Sequence, residues 1–327
     1  MKKSFILCAS LLVTAGFAAA QTCSMPNEVP AAQRSGIEQT VSRLNQAVIT
    51  GDANTIRSAS IPTVAQAFDS VQATIQQMQP QVSGGRSEID QIYLLNQDQA
   101  GAADAQFYCG IVNDPTKVHV VFQLAKLPQG AYAFAMSNIT GGKAPYRVSY
   151  VLQQSGGQWQ VAGFFPKPVE AAGHDGLWYW TTARSYKGKS ENHDAYLYLV
   201  TAQDLLQPVG FMTSSNNLDK LFQEEQAAAQ PDIPGDKPVA FAGPDGKSYQ
   251  LTQMFPTTDD KGNLVLVVKY AVPDISNTAT SFASNQALAK ALVQKYPELK
   301  QAFASLVPRA TAPNNQDFGS EFKMSDL

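Results

Sequence analysis

Five short segments decide the fold of this chain: AQFYCGI (105–111), KVHVVFQLAK (117–126), AYAFAMSNI (131–139), YRVSYVLQQ (146–154) and QWQVAGFF (158–165). Each segment has the length of a β-strand and is rich in β-branched and aromatic residues. The stretches LPQG, TGGKAP and SGG separate the later segments, and such Gly and Pro clusters are turn signals. The sequence therefore predicts a run of strands and tight turns up to Pro166.

Side-chain alternation indicates which face of each strand is buried. In 117–126, His119 lies on the face opposite an apolar row that consists of Val118, Val120, Phe122 and Leu124. In 131–139, one face carries only small residues, which lets a helix or a ligand approach the sheet closely: Ala131, Ala133, Ala135 and Ser137. We predict that the apolar row packs on helices and that any pocket is mostly apolar.

Helices are predicted before these strands. Residues 29–50 carry an apolar stripe at helical spacing, and 52–60 form a short second helix. A third helix begins at Pro62 and is stopped by Pro80 and Gly84-Gly85. A first strand is predicted at 88–95, followed by a polar loop. Helices followed by an antiparallel sheet that they cover on one face define an α+β fold.

This order of elements resembles the NTF2-like superfamily, also called cystatin-like or SnoaL-like, over about residues 29–166. The resemblance rests on the element order and on Gly51-Asp52 after the first helix. It implies a helical layer packed into a strongly bent sheet around a conical cavity. Enzymes of the superfamily, such as ketosteroid isomerase and scytalone dehydratase, place acids, Tyr or His in that cavity. No residue here matches theirs one by one, so the resemblance assigns no catalytic role.

The segment 175–206 is predicted to form two helices joined near Gly188. Over about 175–208 it resembles a single tetratricopeptide-type hairpin, and the alternative is an ordinary helical hairpin. A single repeat cannot bury its own apolar face, so it must pack on a neighbouring element. The predicted seam between the two helices consists of Tyr179, Ala183, Tyr186, Ala195 and Leu199.

The C-terminal part is predicted to be a smaller α+β unit. Strands are expected at 239–242, 248–255 and 264–271, and helices at 284–295 and 297–306. The polar tail is either an extended arm or disordered. The predicted division of the chain is a signal peptide (1–20), an NTF2-like α+β domain (21–166), the hairpin plus one helix (167–230), the small α+β domain (231–308) and the tail (309–327).

The N-terminus has the pattern of a secretory signal peptide. Lys2 and Lys3 precede an apolar run, and Ala18-Ala19-Ala20 offers a cleavage site after Ala20. The alternative is a buried N-terminal helix. No other stretch is long and apolar enough for a stable membrane span. The sequence therefore predicts an exported protein, periplasmic or extracellular.

Export determines what the cysteines are expected to do. Cys8 leaves with the signal peptide, and Cys23 and Cys109 remain. An even number of cysteines in an oxidising compartment predicts one disulfide. The alternative is two separate thiols.

Composition and motifs exclude several classes of function. The chain has 24 Lys and Arg against 27 Asp and Glu, so nucleic acid is not an expected partner. No nucleophile elbow, P-loop, zinc-protease or dinucleotide motif is present, and no cofactor is predicted. The pairs His174-Asp175 and His193-Asp194 are explained better as helix N-termini than as metal ligands, so no metal site is predicted.

One candidate catalytic residue remains, His119, which could act as an acid or base with Tyr108, Tyr150 or Asp90. Three hypotheses follow. The first is non-catalytic binding of an apolar small molecule or an envelope protein. The second is a pocket isomerase or dehydratase that uses His119. The third is a pure interaction module that docks partners on the hairpin.

Overall fold

The computed structural model describes residues 21–111, 114, 117–243 and 246–327. The predicted signal peptide lies outside the described residues. Within them, mainly antiparallel strands form two six-stranded sheets and one two-stranded sheet, and the helices lie in separate segments of the chain. The predicted α+β class is confirmed.

Helices precede the first sheet, as predicted. They are α1 (Ala31–Thr50), α2 (Ala53–Ser58), α3 (Pro62–Gln66) and α4 (Asp69–Val82). Gly51 ends α1 with a φ of 75°, a left-handed conformation that glycine adopts without steric cost. The predicted third helix is two helices. Pro80 does not stop the second one, since it lies inside α4 and removes only its own N–H donor, whereas the helix ends at Val82, before Gly84-Gly85.

The first sheet is built around one long antiparallel ribbon. Its strands are β1 (Thr22–Ser24), β2 (Arg86–Gly110), β3 (His119–Thr140), β4 (Tyr146–Ser155) and β5 (Gln158–Pro168), which lie in that order. β2 merges the predicted strand 88–95, the predicted loop and segment 105–111. β3 merges segments 117–126 and 131–139. LPQG therefore does not separate two strands.

The ribbon of β2 and β3 is nevertheless folded back on itself. In a straight strand, residues twelve positions apart are separated by about 40 Å. Yet the rings of Phe122 and Phe134, both in β3, have centroids 4.9 Å apart. The bend coincides with register shifts between Gln97 and Ala105 and with a positive φ at Lys126. Both strands bend together, so LPQG redirects the chain without ending the pairing.

Two different layers cover the two faces of this sheet. The small residues Ala133 and Ala135 are fully buried against the layer of α1 to α4, because they leave room for the helices. The apolar row faces the other way, into the fold of the ribbon and a later segment of the chain. The prediction that this row packs on the helices is therefore wrong. Val118, moreover, is exposed.

A disulfide-forming pair cross-links the folded ribbon. Cys23 lies in β1, which pairs with the first half of β2, and Cys109 lies in the second half of β2. Their Cα atoms are 5.1 Å apart and their sulfurs are joined. The bond closes a loop with a sequence separation of 86 residues. In the chain-entropy model, closing a loop of this size stabilises the folded state relative to the unfolded chain by about 4 kcal/mol.

The second half of the chain has its own apolar core. Two short strands, β6 (Glu170–Ala171) and β7 (His174–Asp175), lead into the hairpin of α5 (Gly176–Gly188) and α6 (Asn192–Leu206). Next come β8 (Met212–Ser215), which pairs with β3, and α7 (Asn216–Ala228). The C-terminal elements are β9 (Val239–Ala242), β10 (Ser248–Thr258), β11 (Leu264–Ala271), α8 (Thr278–Lys295), α9 (Leu299–Ala302), β12 (Ser305–Thr311), β13 (Asp317–Gly319) and β14 (Phe322–Lys323).

The hairpin packs on the C-terminal sheet. Tyr179, Ala183, Ala195 and Leu199 of the predicted seam are buried, whereas Tyr186 is half-buried. Tyr179, Ala183 and Leu199 share one core with Leu266 and other residues of the C-terminal sheet, and Tyr186 packs against it. The hairpin and the C-terminal unit, which the sequence predicted as separate domains, therefore form one packed body.

One helix prediction at the C-terminus is wrong, and the tail, expected to be either an extended arm or disordered, is ordered. The helix expected at 297–306 ends at Ala302, and Ser305 begins β12, which pairs in parallel with β11. The tail after Arg309 belongs to the same sheet, because β13 and β14 both pair with β12. The ion pair of Arg309 with Asp317, 2.6 Å, helps to hold it there.

Removal of the disulfide tests the folded-back ribbon. The double variant Cys23→Ala/Cys109→Ala is expected to unfold with a free energy about 4 kcal/mol lower, because the unfolded chain regains loop entropy. Urea denaturation measures the difference. Dithiothreitol should destabilise the wild type to a similar extent and leave the variant unchanged. An unchanged wild-type midpoint in dithiothreitol would contradict the expected role.

Candidate binding cleft

An open cleft lies where the folded ribbon meets the hairpin and α7. Its volume is about 640 Å³. Pockets that bind small organic molecules span roughly 300–1,000 Å³. Tyr93 and Met136 line it from one half of the ribbon, and His119 and Val120 line it from the other. The cleft therefore exists because the ribbon folds back and because a second body closes over it.

Most of the cleft wall is apolar. Met25 and Pro26 follow β1, and the hairpin contributes Leu177 and Leu206. The other apolar lining residues are Val118, Val120, Met136, Pro208, Met212, Leu218 and Leu221. The polar lining residues are Asp90, Gln91, Tyr93, His119, Arg147, Ser215, Asn216 and Asn217. Eleven lining residues are apolar and eight are polar, so the cleft offers both apolar contacts and several hydrogen-bonding groups.

The charged groups of the cleft are Arg147 on β4 and Asp90 on β2. Burial lowers the pKa of the Arg147 guanidinium, and the negative charge of Asp90 opposes this shift. Burial, with a smaller contribution from Asp90, raises the pKa of Tyr93 to about 12. The Tyr93 hydroxyl therefore stays protonated at neutral pH and donates a hydrogen bond to Gln91.

His119, the candidate catalytic residue, is buried at the edge of the cleft and connects its own strand, β3, to β8 and α7. Its Nε2 lies 3.0 Å from Asp219 Oδ2 and 3.2 Å from Ser214 Oγ. The Ser214 hydroxyl also donates to Asp219 Oδ2, at 3.1 Å. The backbone N–H of His119 donates to Asn216 Oδ1, at 3.1 Å. Four residues of β3, β8 and α7 are therefore tied together.

This constellation does not have the geometry of a catalytic triad. In a triad, Ser and Asp contact different ring nitrogens of the histidine. Here both contact Nε2, and Nδ1 is buried without a described hydrogen-bond partner. The expected partners also differ from those found, since Tyr150 lies on the helix face and donates to Asn45, at 2.9 Å. A catalytic role for His119 stays a hypothesis.

A double-mutant cycle tests His119 as a structural tie. His119→Ala and Asp219→Ala are each expected to destabilise the fold, with a coupling free energy of about 1 kcal/mol or more, because a charge-assisted hydrogen bond is lost. Denaturant unfolding of the single and double variants measures the coupling. The exposed pair Arg34 and Glu38, 3.9 Å apart, is the control, with an expected coupling of about 0.3 kcal/mol. Equal coupling in both pairs would contradict the assignment.

The other two histidines lie at the hairpin, outside the cleft. The ring of His174 stacks on Trp178 at 3.6 Å, and Asp175 caps α5 by accepting from the Trp178 N–H at 2.8 Å, as predicted for a helix N-terminus. His193 lies between Glu298 and Asp232, at 3.2 and 3.0 Å. Among the described residues, no three His, Cys, Asp or Glu side chains are arranged to hold a metal ion.

Asp194 is the buried acid of the hairpin. It lies in the first turn of α6, as predicted for a helix N-terminal carboxylate. Both carboxylate oxygens are buried and have no hydrogen-bond partner among the described residues. Burial raises the pKa of Asp194 to about 7, and the charges of Glu298 and Glu191 add to this shift. The folded protein therefore keeps a proton on Asp194 that the unfolded chain releases near pH 4.

The pH dependence of stability tests Asp194. A raised pKa in the folded state means that the folded state binds the extra proton, so stability falls as pH rises from about 4 to about 7 and levels off above. The loss is at most about 4 kcal/mol, at 1.36 kcal/mol per pKa unit. Asp194→Asn should remove this loss of stability. The variant should therefore have a higher free energy of unfolding than the wild type at pH 8. Asp204→Asn, an exposed change on the same helix, is the control. Parallel curves for wild type and Asp194→Asn would contradict the shift.

Comparisons with known protein families, with curated proteins and with solved structures find no match to this chain. In residues 21–111, 114, 117–243 and 246–327, no helix combines the length and the apolar character needed to cross a membrane.

Sequence reasoning missed most of the cleft. Only His119 and Asp90 were singled out, and both were considered as members of a catalytic pair. Arg147 lies on the face of β4 opposite Tyr146 and Val148, together with the polar residues Ser149 and Gln153. A cation in a strand whose centre is buried is a local signal. The contributions of Leu177, Leu206 and α7 have no such signal, because they come from distant parts of the chain.

Proposed function

We propose that this protein is exported and binds an apolar small molecule without catalysing its conversion. The main supporting observation is the cleft of about 640 Å³ at the mouth of the folded ribbon, in which eleven of the nineteen lining residues are apolar. Burial of an apolar ligand surface there supplies about 25 cal/mol per Å² before the entropic cost of binding. The disulfide-forming pair Cys23–Cys109 is compatible with the oxidising compartment that export implies.

The proposal of binding without catalysis is supported by the state of His119. Its Nε2 contacts Asp219 and Ser214, and its Nδ1 is buried. A general acid or base must reach the proton that it transfers, within about 3 Å or through one water. Neither ring nitrogen is free to do so in this arrangement. The hairpin as a docking surface has less support, because α6 is buried on nearly all sides.

A neutral apolar fluorophore tests the cleft directly. N-phenyl-naphthylamine is expected to bind the wild type saturably with enhanced emission. Leu177→Glu should weaken this binding about tenfold, which corresponds to about 1.4 kcal/mol, since it places a charge on the cleft wall. Leu177 is 56% exposed, so the fold should tolerate the change.

Phe282→Glu provides the matched control. Phe282 is 47% exposed and lies on α8, away from the cleft. If both variants lose binding equally, or if the wild type does not bind the fluorophore, the proposal fails. Native mass spectrometry of protein purified from its own envelope adds a second readout. A small noncovalent adduct supports the proposal, whereas a complex with another envelope protein supports the alternative that the cleft binds a protein.

A further inference from the structure

One cation of the cleft has no anion beside it. In the part of the chain that the structure describes, Arg147 makes no hydrogen bond and no ion pair, and its Nε is buried without a partner. Arginine cannot shed its charge in a protein, so a half-buried guanidinium that lacks an acceptor is energetically unfavourable. Burial accordingly lowers its pKa.

Two other arginines of the chain are paired with carboxylates. Arg184 forms two hydrogen bonds with Glu224, at 2.9 and 2.6 Å, and Arg309 does the same with Asp317, at 3.0 and 2.6 Å. Both are paired in the planar two-bond geometry that guanidinium and carboxylate share. Arg147 has the same donor set directed at the cleft and no such partner.

The neighbouring charges limit the anion to a single charge. On the adjacent strand β5, Lys167 is already paired with Asp204, at 2.9 Å. Asp90 is exposed and interacts with Arg147 only through its field, without an ion pair. One cation without an ion pair, whose only acidic neighbour in the cleft is Asp90, favours a monoanion over a doubly charged phosphate, because Asp90 repels the double charge more strongly.

We propose that the ligand is an amphipathic monocarboxylic acid whose carboxylate binds Arg147. Its apolar body lies along Met136, Met212 and Leu218 of the same cleft. The inference rests on the proposed function, since it names the chemical class of ligand for that site. The guanidinium supplies two parallel N–H donors, and the ligand supplies the two acceptor oxygens that the protein does not.

Calorimetric titration with decanoate and with the neutral decanamide separates the contribution of the ligand's headgroup to affinity from that of its alkyl chain. Wild type is expected to bind decanoate at least tenfold more tightly than decanamide. Arg147→Gln should abolish this preference and still bind decanamide, which also shows that the variant is folded. Arg147→Lys should keep part of the preference, since it retains the charge but not the two-bond geometry.

Two further variants control for charge. Arg86→Gln removes an exposed arginine from the same sheet and should leave the preference unchanged. Asp90→Asn removes the opposing field and should tighten decanoate binding about twofold to threefold at low salt. Equal binding of decanoate and decanamide by the wild type would overturn the role of Arg147 and leave the apolar cleft standing. Failure of decanamide and of N-phenyl-naphthylamine to bind would instead overturn the proposed function.

Discussion

The folded-back ribbon of β2 and β3 is the constraint on which the rest of the first sheet depends. A long two-stranded ribbon is unstable alone, because each face needs cover. Folding it inward brings Tyr93, Phe122 and Phe134 together, with ring centroids of Tyr93 and Phe122 5.2 Å apart. That inner face becomes a core of its own. The outer face then needs only the small residues that admit α1 to α4.

The segment from β8 through α7 connects this sheet to the second body. Leu218 belongs to the core inside the ribbon, and Leu221, one turn later, belongs to the core of the hairpin and C-terminal sheet. At the other side of α7, Glu224 accepts hydrogen bonds from Trp180 and Arg184 of α5. One short helix is therefore anchored in both cores, and the cleft opens at the junction that it bridges.

Local periodicity explains what the sequence could predict. The stripe of Ile37, Val41 and Leu44 indicates α1 by its spacing alone, and the bounds of β9 and β11 agree with the structure for the same reason. Glycine and proline do not distinguish a bend shared by two paired strands from a turn that ends them, so LPQG was misinterpreted. The partners of His119 could not be predicted either, because Asp219 lies 100 residues away in the chain.

The position of the disulfide links the maturation of the chain to the completeness of its binding site. Met25 and Pro26, which form part of the cleft wall, follow Cys23 by two and three residues. The pairing of β1 and the hydrogen bonds of Gln21 with Asp104 and Gln106 also hold this segment, and the disulfide adds the covalent tie. On the proposal of export, this part of the cleft wall gains its covalent tie only after the chain has left the reducing surroundings in which it is made.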